Sequence, residues 1–232
     1  IMADYYIRSG DAQRALVIGA EILSRVTDPH DMDCMIFADG AGATVVAAGG
    51  TDGGILAHVT RTDALDNAWM LRLGPSYSPD HRGDELYIKM DGHDIYKYAL
   101  KTVPLVVKQA LDKAGLDLGD VKKILMHQAN AKMDDAILNR LFKLYGVSRI
   151  PEDIMPMIIH WAGNSSVATI PTLLDLLLKD VLFHRGAIAR PDQLQGVACR
   201  VTRLEPVDAA IGRPRRPLHR CRGRRGFLRP DL

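Results

Sequence analysis

Several things are scarce in this sequence, and each shortage narrows what the chain can be. Of 232 residues only three are cysteine, Cys34, Cys199 and Cys221, with no C-x-x-C pair and no His/Cys cluster at zinc-ligand spacing. That argues against a disulfide framework or a structural metal and predicts a reducing, cytoplasmic setting. No apolar run approaches the roughly 18 residues of a membrane span, and Ile1-Met2-Ala3-Asp4 lacks the basic-then-apolar opening of a signal peptide, so no membrane partner is expected. Aromatics make up 6%, and residues 1–179 hold no basic stripe with interleaved aromatics, so no nucleic acid is expected either. Lysine is missing altogether from residues 180–232, which carry twelve Arg against five acidic residues, a net of +7. Residues 1–179 have 18 basic and 23 acidic residues, a net of −5. The overall charge of +2 is an average over two unlike compositions.

What is present suffices for a core: 47% of the residues are hydrophobic and 25% charged. Gly10 reads as a helix stop, and residues 14–20 form an apolar run. A second run at 35–38 continues through Asp39-Gly40-Ala41-Gly42-Ala43 into Thr44-Val45-Val46, and both are predicted to lie in a buried sheet. Residues 50–88 are rich in Gly and Asp, with short strands expected at 55–60, 69–73 and 86–88. Residues 91–115 have helical spacing, with a stop at Gly115 and a possible kink at Pro104. Next comes a strand at 123–126 ending on His127. Asn130 then caps a helix with the stripe Met133, Ile137, Leu141 and Leu144. A strand at 157–159 leads through Trp161-Ala162-Gly163-Asn164-Ser165-Ser166 into a helix over 167–179. Two strand-loop-helix units thus place polar loops at the carboxyl ends of strands, where ligands gather in open α/β sheets.

Those two loops carry the candidate chemistry. His127-Gln128-Ala129-Asn130 sets an imidazole just before a helix amino terminus, where the dipole disfavours its cation and a neutral ring can donate to an oxyanion. The alternative is a satisfied core histidine beside a helix cap. Gly163-Asn164-Ser165-Ser166 offers an amide donor or, alternatively, only a cap and a glycine turn. Taken together, His127 and Asn164 could form a two-donor oxyanion hole. Gly40-Ala41-Gly42 lacks the third glycine and the following helix of a dinucleotide loop, so its glycines are read as permitting close packing.

The four motifs His127-Gln128-Ala129-Asn130, Gly163-Asn164-Ser165-Ser166, Asp39-Gly40-Ala41-Gly42-Ala43 and Met90-Asp91-Gly92 occur in the order seen in β-ketoacyl-acyl carrier protein synthase III. Residues 1–179 resemble that family. The resemblance implies an α/β fold of the layered thiolase-like kind, α/β/α/β/α, incomplete at both ends. Residues 1–49 would be a remnant of its N-terminal half and residues 50–179 its C-terminal half. It also implies a homodimer, with residues 14–20 near the interface. The implied reaction is a decarboxylative Claisen condensation of an acyl-CoA with malonyl-acyl carrier protein, initiating fatty acid synthesis without a cofactor or metal. His127 and Asn164 match the pair that holds the thioester oxygen. Met90, Gly92, His93, Tyr96, Ala129 and Asn130 match the lining of the pantetheine tunnel. Lys132 matches a basic residue that meets the carrier protein, or is simply a solvated charge.

The departures from the family carry expectations of their own. The family's nucleophilic cysteine belongs upstream of Ile1, which predicts a fragment unable to form an acyl-enzyme; Cys34 is expected to be an inert thiol buried in a strand. Met32 stands about where an Arg helps bind coenzyme A, which weakens the case for that donor. Beyond residue 179 nothing resembles the family's glycine-rich end. The change to Arg, Pro and Gly predicts an out-of-frame or disordered tail, with a genuine basic tail as the alternative. Two further readings are a related thiolase-like synthase of secondary metabolism and a non-catalytic module that dimerises or binds carrier protein.

Overall fold

A computed structural model describes residues 1–49 and 54–179; the expectations for residues 180–232, including Cys199 and Cys221, lie outside the described residues. Helix α1 (Met2–Arg8) gives way at Ser9 to Gly10, whose φ of 86° makes the expected stop. Strand β1 (Arg14–Glu21) pairs antiparallel with β2 (Gly40–Ala47), in a register running from Arg14↔Ala47 to Glu21↔Gly40. Between them lie 3-10 turns at Leu23–Arg25 and Met32–Ile36. The strand expected at 35–38 therefore begins as a helical turn. The Asp31 carboxylate accepts from the Asp33 N–H at 3.0 Å and caps it, a local bond that wins over extension. Cys34 is half-buried in this turn, not buried in a strand. Nor is the sheet buried on both faces, because Leu16, Val17 and Ile18 of β1 are exposed.

Glycines govern the sheet's packing. A Cβ on Gly42 would sit 2.8 Å from Pro171 Cβ, one on Gly40 would sit 2.9 Å from Ser165 Cβ, and one on Gly19 would overlap the Val167 carbonyl. Close approach is thus the role of Gly40 and Gly42, and their partners are the 3-10 turn Ser166–Ala168 and helix α6 (Thr169–Leu178). This contact brings β1 and β2 against residues 165–171.

After a short helix α2 (Ala64–Asn67), β3 (Leu71–Gly74) pairs with β4 (Tyr87–Met90), while residues 55–60 are not a strand. A buried ion pair docks β4. Asp28, wholly buried, accepts from Lys89 Nζ, from Ser76 Oγ at 3.0 Å, and from the Tyr77 and His30 N–H groups at 2.7 and 3.0 Å. Lys89 also lies 3.5 Å from the centroid of the Tyr77 ring.

The long helix α3 (Gly92–Ala114) ends at Gly115 with φ 69°, as its spacing predicts. Pro104 in its interior has no N–H to offer the Leu100 carbonyl. Arg140 Nη1, from α4 (Ala131–Leu144), reaches that oxygen at 3.4 Å and fills the gap. Below this contact Leu138, Leu141 and Phe142 pack with Leu118, Ile154 and Met155 to form the main core. The buried stripe of α4 is Asp134, Ile137, Leu138, Leu141 and Phe142; Leu144, expected on it, is exposed. Residues 123–126 and 157–159 are not strands. The first run has one backbone bond to the second region, from the Ile124 N–H to the Ile154 carbonyl at 2.7 Å, and Ile159 opens helix α5 (Ile159–Ala162). A strand is defined by its ladder, and neither run finds a partner strand among the described residues.

Candidate active site

Asn164 is positioned by its own backbone. Its N–H donates to the Ile36 carbonyl at 2.8 Å and its carbonyl accepts from the Ala38 N–H at 2.9 Å, a single parallel bridge centred on Phe37. Gly163 makes this possible: its φ is 66°, and a Cβ there would meet Ala38 Cβ at 2.7 Å. The side-chain Oδ1 accepts from the Ser166 N–H at 3.0 Å. With its oxygen engaged, the Asn164 amide nitrogen is the atom left to donate into a cavity.

His127 lies immediately before α4, its ring at a cavity mouth. Protein packed around the ring lowers its pKa from the usual 6.5, and the bond to Ser166 opposes that shift only in part. The imidazole is therefore neutral at pH 7. Nδ1 lies 3.2 Å from the Ser166 carbonyl, which can only accept, so the neutral ring carries its proton on Nδ1 and leaves Nε2 with a lone pair.

Gln128 is the residue that sequence reasoning passed over. Only 1% exposed, it donates from Nε2 to the Pro156 carbonyl at 2.7 Å, and its Oε1 accepts from the Ile158 and Ile159 N–H groups at 2.9 and 3.0 Å. These three bonds tie the His127 loop to the segment that leads into Asn164. The signal available was a polar side chain between two candidate residues with no role of its own.

Two cavities meet at Asn164. One, of about 420 Å³, is lined by Met90, Gly92, His93, Tyr96, Ala129 and Asn130, the six residues expected to line a tunnel. The other, of about 380 Å³, enters between α3 and α4 and is bordered by both His127 and Asn164. Met90, Ile95, Ala129, Met133 and Asn164 belong to both walls. The Asn130 side chain is committed to capping α4, accepting from the Lys132 and Met133 N–H groups at 3.0 and 3.3 Å. Lys132 is exposed and lines neither cavity. Among the described residues no group of three or more His, Cys, Asp or Glu could hold a metal ion, and no helix is long and apolar enough to cross a membrane.

A model of the family described as 3-oxoacyl-[acyl-carrier-protein (ACP)] synthase III matches residues 1–64, and that of its C-terminal region matches residues 111–189. The chain is 35% identical over 198 residues to the beta-ketoacyl-[acyl-carrier-protein] synthase III of Thioalkalivibrio sulfidiphilus, an alignment covering 84% of this chain and 59% of that protein. Among solved structures, the 3-oxoacyl-[acyl-carrier-protein] synthase III of Aquifex aeolicus superposes with a TM-score of 0.64 at 32% identity, covering 82% of this chain and 55% of that one. The priming beta-ketosynthase from the R1128 polyketide biosynthetic pathway gives 0.62 at 28% identity, covering 76% and 52%. The chain thus has the α/β thiolase-like fold of these structures and spans somewhat over half the length of the proteins it matches.

Proposed function

The chain belongs to the 3-oxoacyl-[acyl-carrier-protein] synthase III family, and we propose that its two-loop site holds a malonyl thioester through decarboxylation in the condensation with an acyl-CoA. The observation that carries this reading is the convergence of His127 and Asn164 on one cavity mouth, beside the cavity lined by the six tunnel residues. As carbon dioxide leaves, the electron pair of the broken C–C bond enters the thioester as an enolate and negative charge grows on its oxygen. Asn164 Nδ2 and His127 Nε2 are the two donors for that oxygen, and each acts more strongly on the transition state than on the substrate. The enolate carbon then attacks the acyl thioester, forming the new C–C bond as the thiolate departs. Cys34 lines neither cavity and has no part in this scheme.

His127 must change tautomer to donate from Nε2. At 3.2 Å the bond to Ser166 is at the long limit for N–H to oxygen, so giving it up costs about 1 kcal/mol or less. The donor is the neutral ring, because the cation is disfavoured here. Malonyl-acyl carrier protein would approach along α4 past Lys132, and a second copy of the chain would cover Leu16, Val17 and Ile18 of β1. The second reading keeps the same site in a related synthase with a different acyl donor. Met32, where the resemblance expects an Arg toward coenzyme A, is 90% exposed and uncharged.

Carbon dioxide release from malonyl-acyl carrier protein tests the proposal. His127→Ala and Asn164→Ala should each lower the rate by roughly 100-fold or more. The wild-type rate should rise with pH through a pKa below 6.5 and then level off. A rate untouched by both substitutions overturns the assignment.

A further inference from the structure

Decarboxylation makes no use of a buried carboxyl that borders the site. Asp134, one turn inside α4, is 0% exposed, and neither of its carboxyl oxygens has a hydrogen-bond partner. It borders the same 380 Å³ cavity as His127 and Asn164, where α3 contributes Ile95, Ala99 and Val103 and α4 contributes Met133 and Ile137. In that hydrocarbon setting burial, with Asp135 nearby, pushes the Asp134 carboxyl up to about 7. Below neutrality it is an uncharged acid with one O–H donor and free acceptor oxygens. Gln128 and Asn164, equally enclosed, both have partners.

The cavities divide the labour around Asn164. The 420 Å³ side is lined by the exposed residues His93, Tyr96 and Asn130, and suits an extended arm coming from solvent. The 380 Å³ side enters between two helices and suits the acyl chain. A chain ending in a carboxylate would bring a charge against hydrocarbon and a second carboxyl. A plain alkyl chain would leave both Asp134 oxygens unpaired. A hydroxyl satisfies the acid without bringing charge, since it both donates and accepts.

We propose that Asp134 reads the acyl chain, so that the site takes a thioester whose short acyl group bears a hydroxyl in preference to the unsubstituted acyl group of the same length. This rests on the thioester reading of the site given above.

Titration calorimetry of the full chain at pH 6.5 with S-butyryl-, S-(3-hydroxybutyryl)- and S-(4-hydroxybutyryl)-pantetheine tests it. The expected result is that one hydroxyacyl ligand binds the wild type about tenfold more tightly than butyryl, a difference of about 1.4 kcal/mol. Asp134→Asn, which keeps a donor and an acceptor, should retain that preference to within threefold. Asp134→Leu should abolish it. Circular dichroism confirms that each variant is folded, and Asp134→Ala, which also removes both polar atoms, takes the place of the Leu protein if that one is not. Butyryl binding as tightly as both hydroxyacyl ligands to wild type, or a preference unchanged in a folded Leu variant, overturns this inference while leaving the decarboxylation reading intact. A folded wild type that binds none of the three thioesters overturns both.

Discussion

Asp28 and Asp134 are both 0% exposed, yet the regions that enclose them treat a carboxyl in opposite ways. Around Asp28, β4 supplies the Lys89 ammonium, the loop after β3 supplies the Ser76 hydroxyl and the Tyr77 N–H, and the His30 N–H completes the set. Burial alone would raise its pKa, but these donors, Lys89 foremost, hold it well below the ordinary carboxylate range. Around Asp134 the wedge between α3 and α4 supplies no donor, and burial goes unopposed. Enclosure by itself therefore says little about charge; the donors that come with it decide. The first region is built to stay as it is, whereas the second holds a bonding capacity that a ligand can use.

The harshest way to break the comparison is Asp28→Ala. It strands Lys89 as a buried charge without its closest anion, since Asp31 lies 3.7 Å away, and leaves three further donors unpaired. Urea unfolding at pH 7 should show a loss of about 3–5 kcal/mol. Because the folded-state pKa of Asp28 is depressed, its contribution is present above the unfolded value near 3.8 and is lost as pH falls through the lower folded value.

Asp134→Asn should act in the opposite direction. With a folded-state pKa near 7 against 3.8, the native state binds the extra proton, so wild-type stability falls as pH rises from about 4 to 7. The Asn variant escapes that penalty and should be more stable than wild type at pH 8, by roughly 2–4 kcal/mol, with little difference at pH 3.5. Equal stabilities at pH 8 would place Asp134 in the same regime as Asp28.

A finer probe is the wall of the wedge itself. Arg140→Met should cost about 1 kcal/mol by leaving the Leu100 carbonyl unpaired. Pro104→Ala restores an N–H to that carbonyl, so the loss should shrink in the Pro104→Ala background. A loss of the same size in both backgrounds would show that Arg140 acts elsewhere.

The sequence disclosed local devices better than long-range pairings. The stop at Gly115, the Asn130 cap and strand β1 follow from single residues or short periods, and each is where spacing puts it. Residues 123–126 and 157–159 have the composition of strands, but strand formation needs a neighbour that no local pattern reveals. The His127 and Asn164 loops were legible as chemistry because both pair a polar group with a helix start. Their junction was not, because it runs through Gln128. Asp134 was legible in part: 134, 137, 138, 141 and 142 share one face, yet an Asp-Asp pair in a first helical turn reads as a complement to the helix dipole.

Gln128 extends the point from charge to architecture. Its side-chain amide sets an N–H beside a C=O, the pair of groups a peptide unit offers, and it meets the backbone at Pro156, Ile158 and Ile159. The side chain thereby serves as a single rung of a β-ladder between two segments that are not strands. The two loops that carry His127 and Asn164 are thus spliced edge to edge by one residue, and glutamate, equal in size but without the amide donor when ionised, could not take its place.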